Sequence, residues 1–284
     1  MDLSNSATKF AVNIEMWYQG DFVSRIEQAH AQGFEAIEFW LFEEKDIEEH
    51  ANGVEAIELP LLNEQVIRAG AERLEELGMV ATQFTAWPFC KELNDPQQSP
   101  EKFLGAIRHA CEVAKMLPGC DLFTVVLGDD VDGVSREDMH RAVVEKLKLA
   151  VPILEQAGMT AIIEPMNPYN HPDHCFYGSA EGVAVCEAVG SRHVLLNYDL
   201  FHMQRFEGNL IDNLRKCREW IGYLQLADSP DRHEPGTGEV NYAPVLEAAK
   251  EIGYTGYVGL ECMPQDGDTE RALKRILAVA GTIG

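Results

Sequence analysis

Four oxygen-bearing side chains stand at or near the ends of short apolar runs, where an ordinary core carries none. Glu164 closes the run Met159 to Glu164, Asp199 follows His193 to Tyr198, Gln225 lies inside Ile221 to Ala227, and Glu261 closes Gly256 to Glu261. They are 35, 26 and 36 positions apart. That is about the length of a strand, a loop and a helix, so each can end a successive strand of one parallel sheet. Three carboxylates and one amide oxygen form a hard donor set suited to a divalent cation, Mg²⁺ or Mn²⁺ with Co²⁺ as a third candidate, and they leave positions for substrate oxygens. No Cys accompanies them, which argues against a structural zinc site. Taken singly, each carboxylate could equally cap a helix or pair with a base. The spacing is what makes the set a metal site.

A divalent cation chelated by two adjacent oxygens of a hydroxycarbonyl compound polarises the carbonyl and acidifies the neighbouring C–H. Glu164 and Glu261 are expected to approach such a substrate from opposite sides, one removing the proton and the other returning it at the adjacent carbon. Asp199 and Gln225 are then ligands only. His202 lies three residues beyond Asp199, and Arg232 seven beyond Gln225. For His202 the expected role is a hydrogen bond to a substrate oxygen, with satisfaction by backbone groups as the plain alternative. Arg232 is the one cation between Ala227 and Pro235. Its planar fork fits a carboxylate; the alternative is an exposed salt bridge to Asp231 or Glu234. His233, Glu234 and Glu239 are expected to shape that loop. His171 and His174, separated by Pro172 and Asp173, are expected at the surface.

Positioning these groups requires a repeating strand and helix. Phe10 to Met16, Gly33 to Trp40, Met79 to Ala86 and Asp121 to Leu127 read as four further strands. Between them come helices opened by Asp21, Asn63, Ser99 and Ser135, the Asn63 helix ended by Gly78. The helix from Ser135 runs toward Gly158 and should be kinked or interrupted at Pro152. Further helices are expected over 179–189, 210–220, 242–252 and 268–280. Eight strands alternating with eight helices predict a single-domain (β/α)₈ TIM barrel over residues 1–284, with its site at the C-terminal ends of the strands. The acidic stretch from Glu43 to His50 reads as a solvated loop, and the resemblance of residues 53–60 to strand two as coincidence. The acidic turn Gly128 to Gly133 lacks the spacing and closing Glu of a calcium loop.

Composition narrows the partners. With 47 acidic and 23 basic residues the formal charge is −24, so a phosphate backbone would be repelled and nucleic-acid binding is disfavoured. No apolar run reaches membrane-spanning length, and the N-terminus lacks a basic segment followed by an apolar one. The protein is therefore expected to be cytoplasmic, to act on a small hydroxycarbonyl substrate and to need no membrane; a homo-oligomer is compatible with the sequence. Seven Cys with no C-x-x-C pair suggest reduced thiols.

The segments Ile163-Glu-Pro-Met-Asn167, Tyr198-Asp-Leu-Phe-His-Met-Gln204, Gln225-Leu-Ala-Asp228 and Arg232-His-Glu-Pro-Gly-Thr-Gly-Glu-Val-Asn-Tyr242 resemble the hydroxypyruvate isomerase family, a branch of the xylose-isomerase-like barrels. The resemblance implies one divalent metal on Glu164, Asp199, Gln225 and Glu261, with the two Glu as proton donor and acceptor. It also implies interconversion of hydroxypyruvate and tartronate semialdehyde through an enediol. Related ketose 3-epimerases carry His where this chain has Gln225, which points to the isomerase branch. The likeness follows the whole strand and helix order and is sharp from strand five onward. Before that the chain departs from the family: residues 87–98 are short and aromatic where a longer Gly- and Arg-containing segment is usual, and strand two is followed by an acidic extension. Glu15, Glu38, Trp40, Gln83 and Trp87 are candidate pocket residues on that side, each with a structural role as the plainer expectation. Other readings are a neutral ketose isomerase or 3-epimerase, a metal-dependent lyase acting beside a carbonyl, and a barrel that only binds sugar. The presence of both Glu164 and Glu261 argues against the last.

Overall fold

Short apolar runs bounded by turn residues pair in chain order in the computed structural model, which describes residues 3, 6, 8–41, 62–87 and 91–280. The strands are β1 (Phe10–Asn13), β2 (Ala36–Trp40), β3 (Val80–Trp87), β4 (Leu122–Val126), β5 (Thr160–Glu164), β6 (Val194–Asp199), β7 (Ile221–Leu226) and β8 (Val258–Leu260). Each pairs in parallel with the next, and β1 pairs with β8, so the sheet closes into a barrel without edges. The covering helices are α1 (Phe22–Ala31), α2 (Glu64–Leu77), α3 (Glu101–Met116), α4 (Arg136–Ala157), α5 (Gly178–Val189), α6 (Leu210–Cys217), α7 (Tyr242–Glu251) and α8 (Thr269–Ala280). This is the TIM barrel that the alternation predicted. Its strands are buried on both faces, as a parallel sheet sandwiched between helices and its own interior requires.

Local chemistry sets the helix ends. The side chains of Asp21, Asn63 and Ser135 accept the N–H groups of Ser24, Val66 and Asp138 at the starts of α1, α2 and α4, each cap contributing about 1 kcal/mol. Gly78 ends α2 with φ 68°, a left-handed conformation that a side chain would disfavour.

Several expectations are corrected. The first strand ends at Asn13, because the Asn13 side chain caps a short helix, Ile14–Trp17, by accepting the N–H of Met16. Strand β2 begins at Ala36, three residues later than predicted. Pro152 does not interrupt α4; the carbonyl deprived of a partner belongs to Lys148, an exposed residue that water can serve. Helix α6 stops at Cys217. Two short helices, Lys91–Asn94 and Leu200–Phe206, were not foreseen. The acidic stretch and the 53–60 repeat lie outside the described residues. The six described cysteines are free and buried. Among the described residues, no helix is long and apolar enough to cross a membrane.

Candidate active site

Strand alternation decides which groups share the barrel interior, since residues two apart face the same way. Glu38 and Trp40, Asn197 and Asp199, and Gly259 and Glu261 are such pairs, on β2, on β6, and at the end of β8. They build two polar layers, one above the other.

The lower layer is a connected hydrogen-bond network around a buried carboxyl. Gln225 Nε2 donates to Glu38 Oε1 at 3.0 Å and Gln83 Nε2 to Glu38 Oε2 at 3.2 Å. Thr124 Oγ1 donates to Gln83 Oε1 at 2.9 Å, and Asn197 Nδ2 to Gln225 Oε1 at 2.6 Å. Gly259 makes the room: a Cβ there would lie 2.1 Å from Glu38 Oε2. Burial first, and the Glu261 charge second, push the Glu38 carboxyl up to about 8, against the pull of the two amides.

The upper layer is acidic. Arg232 Nη2 stands 2.6 Å from Glu261 Oε2 and 3.5 Å from Asp199 Oδ2. His202 Nε2 stands 3.5 Å from the same Asp199 oxygen and 3.7 Å from Glu164 Oε1. Asp199 Oδ1 accepts the N–H of Phe201, so the start of the Leu200–Phe206 helix fixes the carboxylate and places His202 one turn on. Trp40 Nε1 donates to Glu261 Oε1 at 3.3 Å. Burial, then Glu261 and Asp199, hold the Glu164 carboxyl well above its ordinary range; burial pushes Asp199 up to about 7 although Arg232 opposes it. Burial, then Arg232, lowers His202 well below the usual imidazole value, so its neutral form prevails.

Arg232 owes its place to the loop that follows β7. Asp228 Oδ2 accepts the N–H groups of Gly236, Thr237 and Gly238 at 2.8, 3.1 and 2.9 Å, and its Oδ1 that of Val240 at 3.1 Å. Buried Glu234 takes Arg275 at 2.7 Å and the N–H of Gln265 at 2.8 Å. Arg232 itself adopts φ 59°, held by Asp228 O at its N–H and by Met263 N–H at its carbonyl. Its guanidinium lies 5.1 Å from the Phe201 ring centre.

The sequence-predicted residues thus converge: Glu164, Asp199, His202, Arg232 and Glu261 meet at one point, and Gln225 lies in the layer beneath. Arg232 pairs with Glu261 and Asp199, not with Asp231 or Glu234. Glu234 and Glu239 do shape the loop, Glu239 by accepting from Ser229 at 2.9 Å. Of the N-terminal candidates, Trp40 reaches the upper layer and Glu38 and Gln83 the lower, while Glu15 accepts the N–H of Trp40 and is structural. His174 is not a surface residue: it is fully buried, 3.6 Å from Asp129, because Arg136 donates to its carbonyl and draws the loops after β4 and β5 together. His171 is half-buried, its ring 5.6 Å from that of His202. Sequence reasoning missed Asn167, Asn197, Thr124 and Asp228. Asn167 had a signal, its place three residues beyond Glu164, but no assigned role.

The donor set fits a divalent cation. Glu164 and Asp199 each bring a ligand-capable oxygen within 4.8 Å of the other and of His202; Glu261 lies outside that group and is linked to Asp199 by Arg232 Nη2, 2.6 Å from one and 3.5 Å from the other. Burial is the main cause that raises the Glu164 and Asp199 carboxyls, and a divalent cation beside them would favour their charged forms.

A family model described as xylose isomerase-like TIM barrel matches residues 26–279. The chain belongs to that family. Within it, the chain is 31% identical to hydroxypyruvate isomerase of Escherichia coli over 94% of its own length and 97% of the relative's. It is 32% identical to 2-oxo-tetronate isomerase of Cupriavidus necator, over 91% and 94% of the two chains. Among solved family structures, that of an AP endonuclease, family 2, from Brucella melitensis superposes with a TM-score of 0.78 at 25% identity, covering 94% of this chain and 96% of the other.

Proposed function

We propose that the chain is a metal-dependent isomerase of a short hydroxycarbonyl acid, with hydroxypyruvate and tartronate semialdehyde as the favoured pair. The observation that carries the reading is Arg232 Nη2 in contact with Glu261 and Asp199 at once. It sets a carboxylate-recognising fork against Glu261, one of the two glutamates able to exchange protons. The near-complete alignment with the two isomerases supports the same chemistry. Glu164, Asp199 and Glu261 would hold one divalent cation, Mg²⁺ or Mn²⁺, with Gln225, the fourth expected ligand, offering the remaining lone pair of an Oε1 that already accepts from Asn197. When bound, the cation supplies Lewis-acid polarisation of two adjacent substrate oxygens.

Arg232 binds the substrate carboxylate, and Trp40 and His202 border the space beside it. One of Glu164 and Glu261 removes a proton from C3 of hydroxypyruvate; the C–H electron pair becomes the C2–C3 double bond while O2 takes up the proton that O3 gives up. The other glutamate delivers a proton to C2, giving the aldehyde. The substrate is isomerised with no atom gained or lost. The net charge of −24 favours a small ligand over a polyanion.

A second reading, a four-carbon 2-oxo acid as substrate, rests on the equally close 2-oxo-tetronate isomerase. Specificity constants for three- and four-carbon acids and for a neutral ketose separate these readings. Activity should vanish on chelation and return with Mg²⁺, Mn²⁺ or Co²⁺. Full activity in a demonstrably metal-free preparation would remove the proposal.

A further inference from the structure

His202 Nε2 lies where either a metal ligand or a hydrogen-bond donor could stand, and geometry around the carboxylates alone does not choose between them. The choice is made on the other side of the ring. Asn167 Oδ1 accepts the N–H groups of Tyr169 and Asn170 at 3.0 and 3.1 Å, and the Asn167 carbonyl accepts that of His171 at 3.1 Å. This turn fixes the amide's orientation, because the reverse one would set its NH₂ against two N–H donors. Asn167 Nδ2 is therefore the atom that meets His202 Nδ1 at 2.7 Å, and both residues are buried.

We infer that Asn167 is a positioning residue that locks His202 as the neutral Nε2–H tautomer, so that His202 offers the site a donor and not a metal ligand. With an NH₂ donating to it, Nδ1 must be the acceptor, and a neutral imidazole then carries its proton on Nε2. The imidazolium is disfavoured by the same contact, since it would oppose two donors. The far side agrees: Nε2 faces Asp199 Oδ2 at 3.5 Å and Glu164 Oε1 at 3.7 Å, both acceptors. In the isomerase reading this N–H supports the substrate oxygen that gains negative charge as the enediol forms. That role rests on the proposed function; the tautomer does not.

The tautomer is read directly by long-range ¹H–¹⁵N correlation on ¹⁵N-histidine protein, with Mg²⁺ and after chelation, without substrate. His202 is assigned by its disappearance in His202→Gln. The expected spectrum has a protonated Nε2 and a bare Nδ1 in both samples. A proton on Nδ1, protons on both nitrogens, or loss of the Nε2 proton when Mg²⁺ is added overturns the inference. Asn167→Asp keeps an oxygen for the Tyr169 and Asn170 N–H groups, replaces the donor at His202 Nδ1 by an acceptor and adds a negative charge there. It should put a proton on Nδ1, as the other neutral tautomer or as the imidazolium, and lower kcat about 100-fold, the lower end of what a placed proton donor contributes, with a smaller change in KM. Lost activity with an unmoved tautomer makes Asn167 a loop residue and overturns the inference. A moved tautomer with unchanged kcat upholds the lock and removes the catalytic role given to the His202 donor. If Asn167→Asp does not fold, the wild-type spectra decide.

Discussion

The layer of Glu38, Gln83, Thr124, Asn197 and Gln225 and the cluster of Glu164, Asp199 and Glu261 above it are both buried and both polar, yet their charge is met differently. In the lower layer each amide has its orientation set by partners: Glu38 accepts from two amides, and Gln225 in turn accepts from Asn197. In the upper layer three carboxylates share one guanidinium and one neutral imidazole. Networks of the first kind specify a unique packing. Clusters of the second kind store repulsion that a cation or a proton relieves. The barrel thus sets a rigid floor beneath a charged site, and substitutions at three positions and a change of pH probe that division.

The largest effect is expected from Glu261→Gln, which keeps an oxygen for a cation but cannot take a proton. Solvent deuterium incorporation should fall by about 10²- to 10⁴-fold, the usual general acid–base contribution. Incorporation at the wild-type rate would show that another group carries the proton. Next come Arg232→Lys and Arg232→Gln, since neither reproduces a bidentate contact. Losing a charged hydrogen bond costs about 1.5 to 3 kcal/mol, or roughly ten- to a hundredfold in kcat/KM for hydroxypyruvate. A neutral ketose should lose less; equal losses mean that Arg232 only orders its loop.

A smaller effect tests the floor. Glu38→Ala leaves the buried N–H groups of Gln225 and Gln83 without an acceptor, at a cost of about 1 to 3 kcal/mol in urea unfolding. Glu38→Gln should cost less, because Gln83 and the Thr124 hydroxyl can reverse and restore the network. An alanine variant as stable as wild type would contradict the floor's role. The fourth test is pH. Glu38 and Asp199 have folded-state values raised to about 8 and about 7, so between the ordinary carboxylate range and those values the folded chain holds more protons than the unfolded one. Chelated protein should therefore lose stability as pH rises from about 5 to about 8. Saturating Mg²⁺ should reduce that loss, and Glu38→Gln should make the slope shallower. A stability that climbs with pH over this range contradicts the assignment.

Much of the barrel was legible in one dimension, because its signals are local. Apolar runs of strand length, caps at Asp21, Asn63 and Ser135 and the end at Gly78 each depend on residues a few positions apart. The strand-end positions of Glu164, Asp199 and Glu261 followed from a spacing that matches one barrel unit. What the sequence alone could not decide were pairings between distant strands and loops. Gln225 meets Glu38 across 187 positions, and Trp40 meets Glu261 across 221. His174 is buried because the loops after β4 and β5 close over it, although its neighbours are polar. Arg232 had nearer acids to pair with, yet the Asp228 turn aims it inward. The tautomer of His202 likewise hangs on an amide in another loop. Local periodicity names the residues and the strands that carry them; only closure of the sheet sets which side chains face one another, and those contacts fix orientation, charge and proton placement.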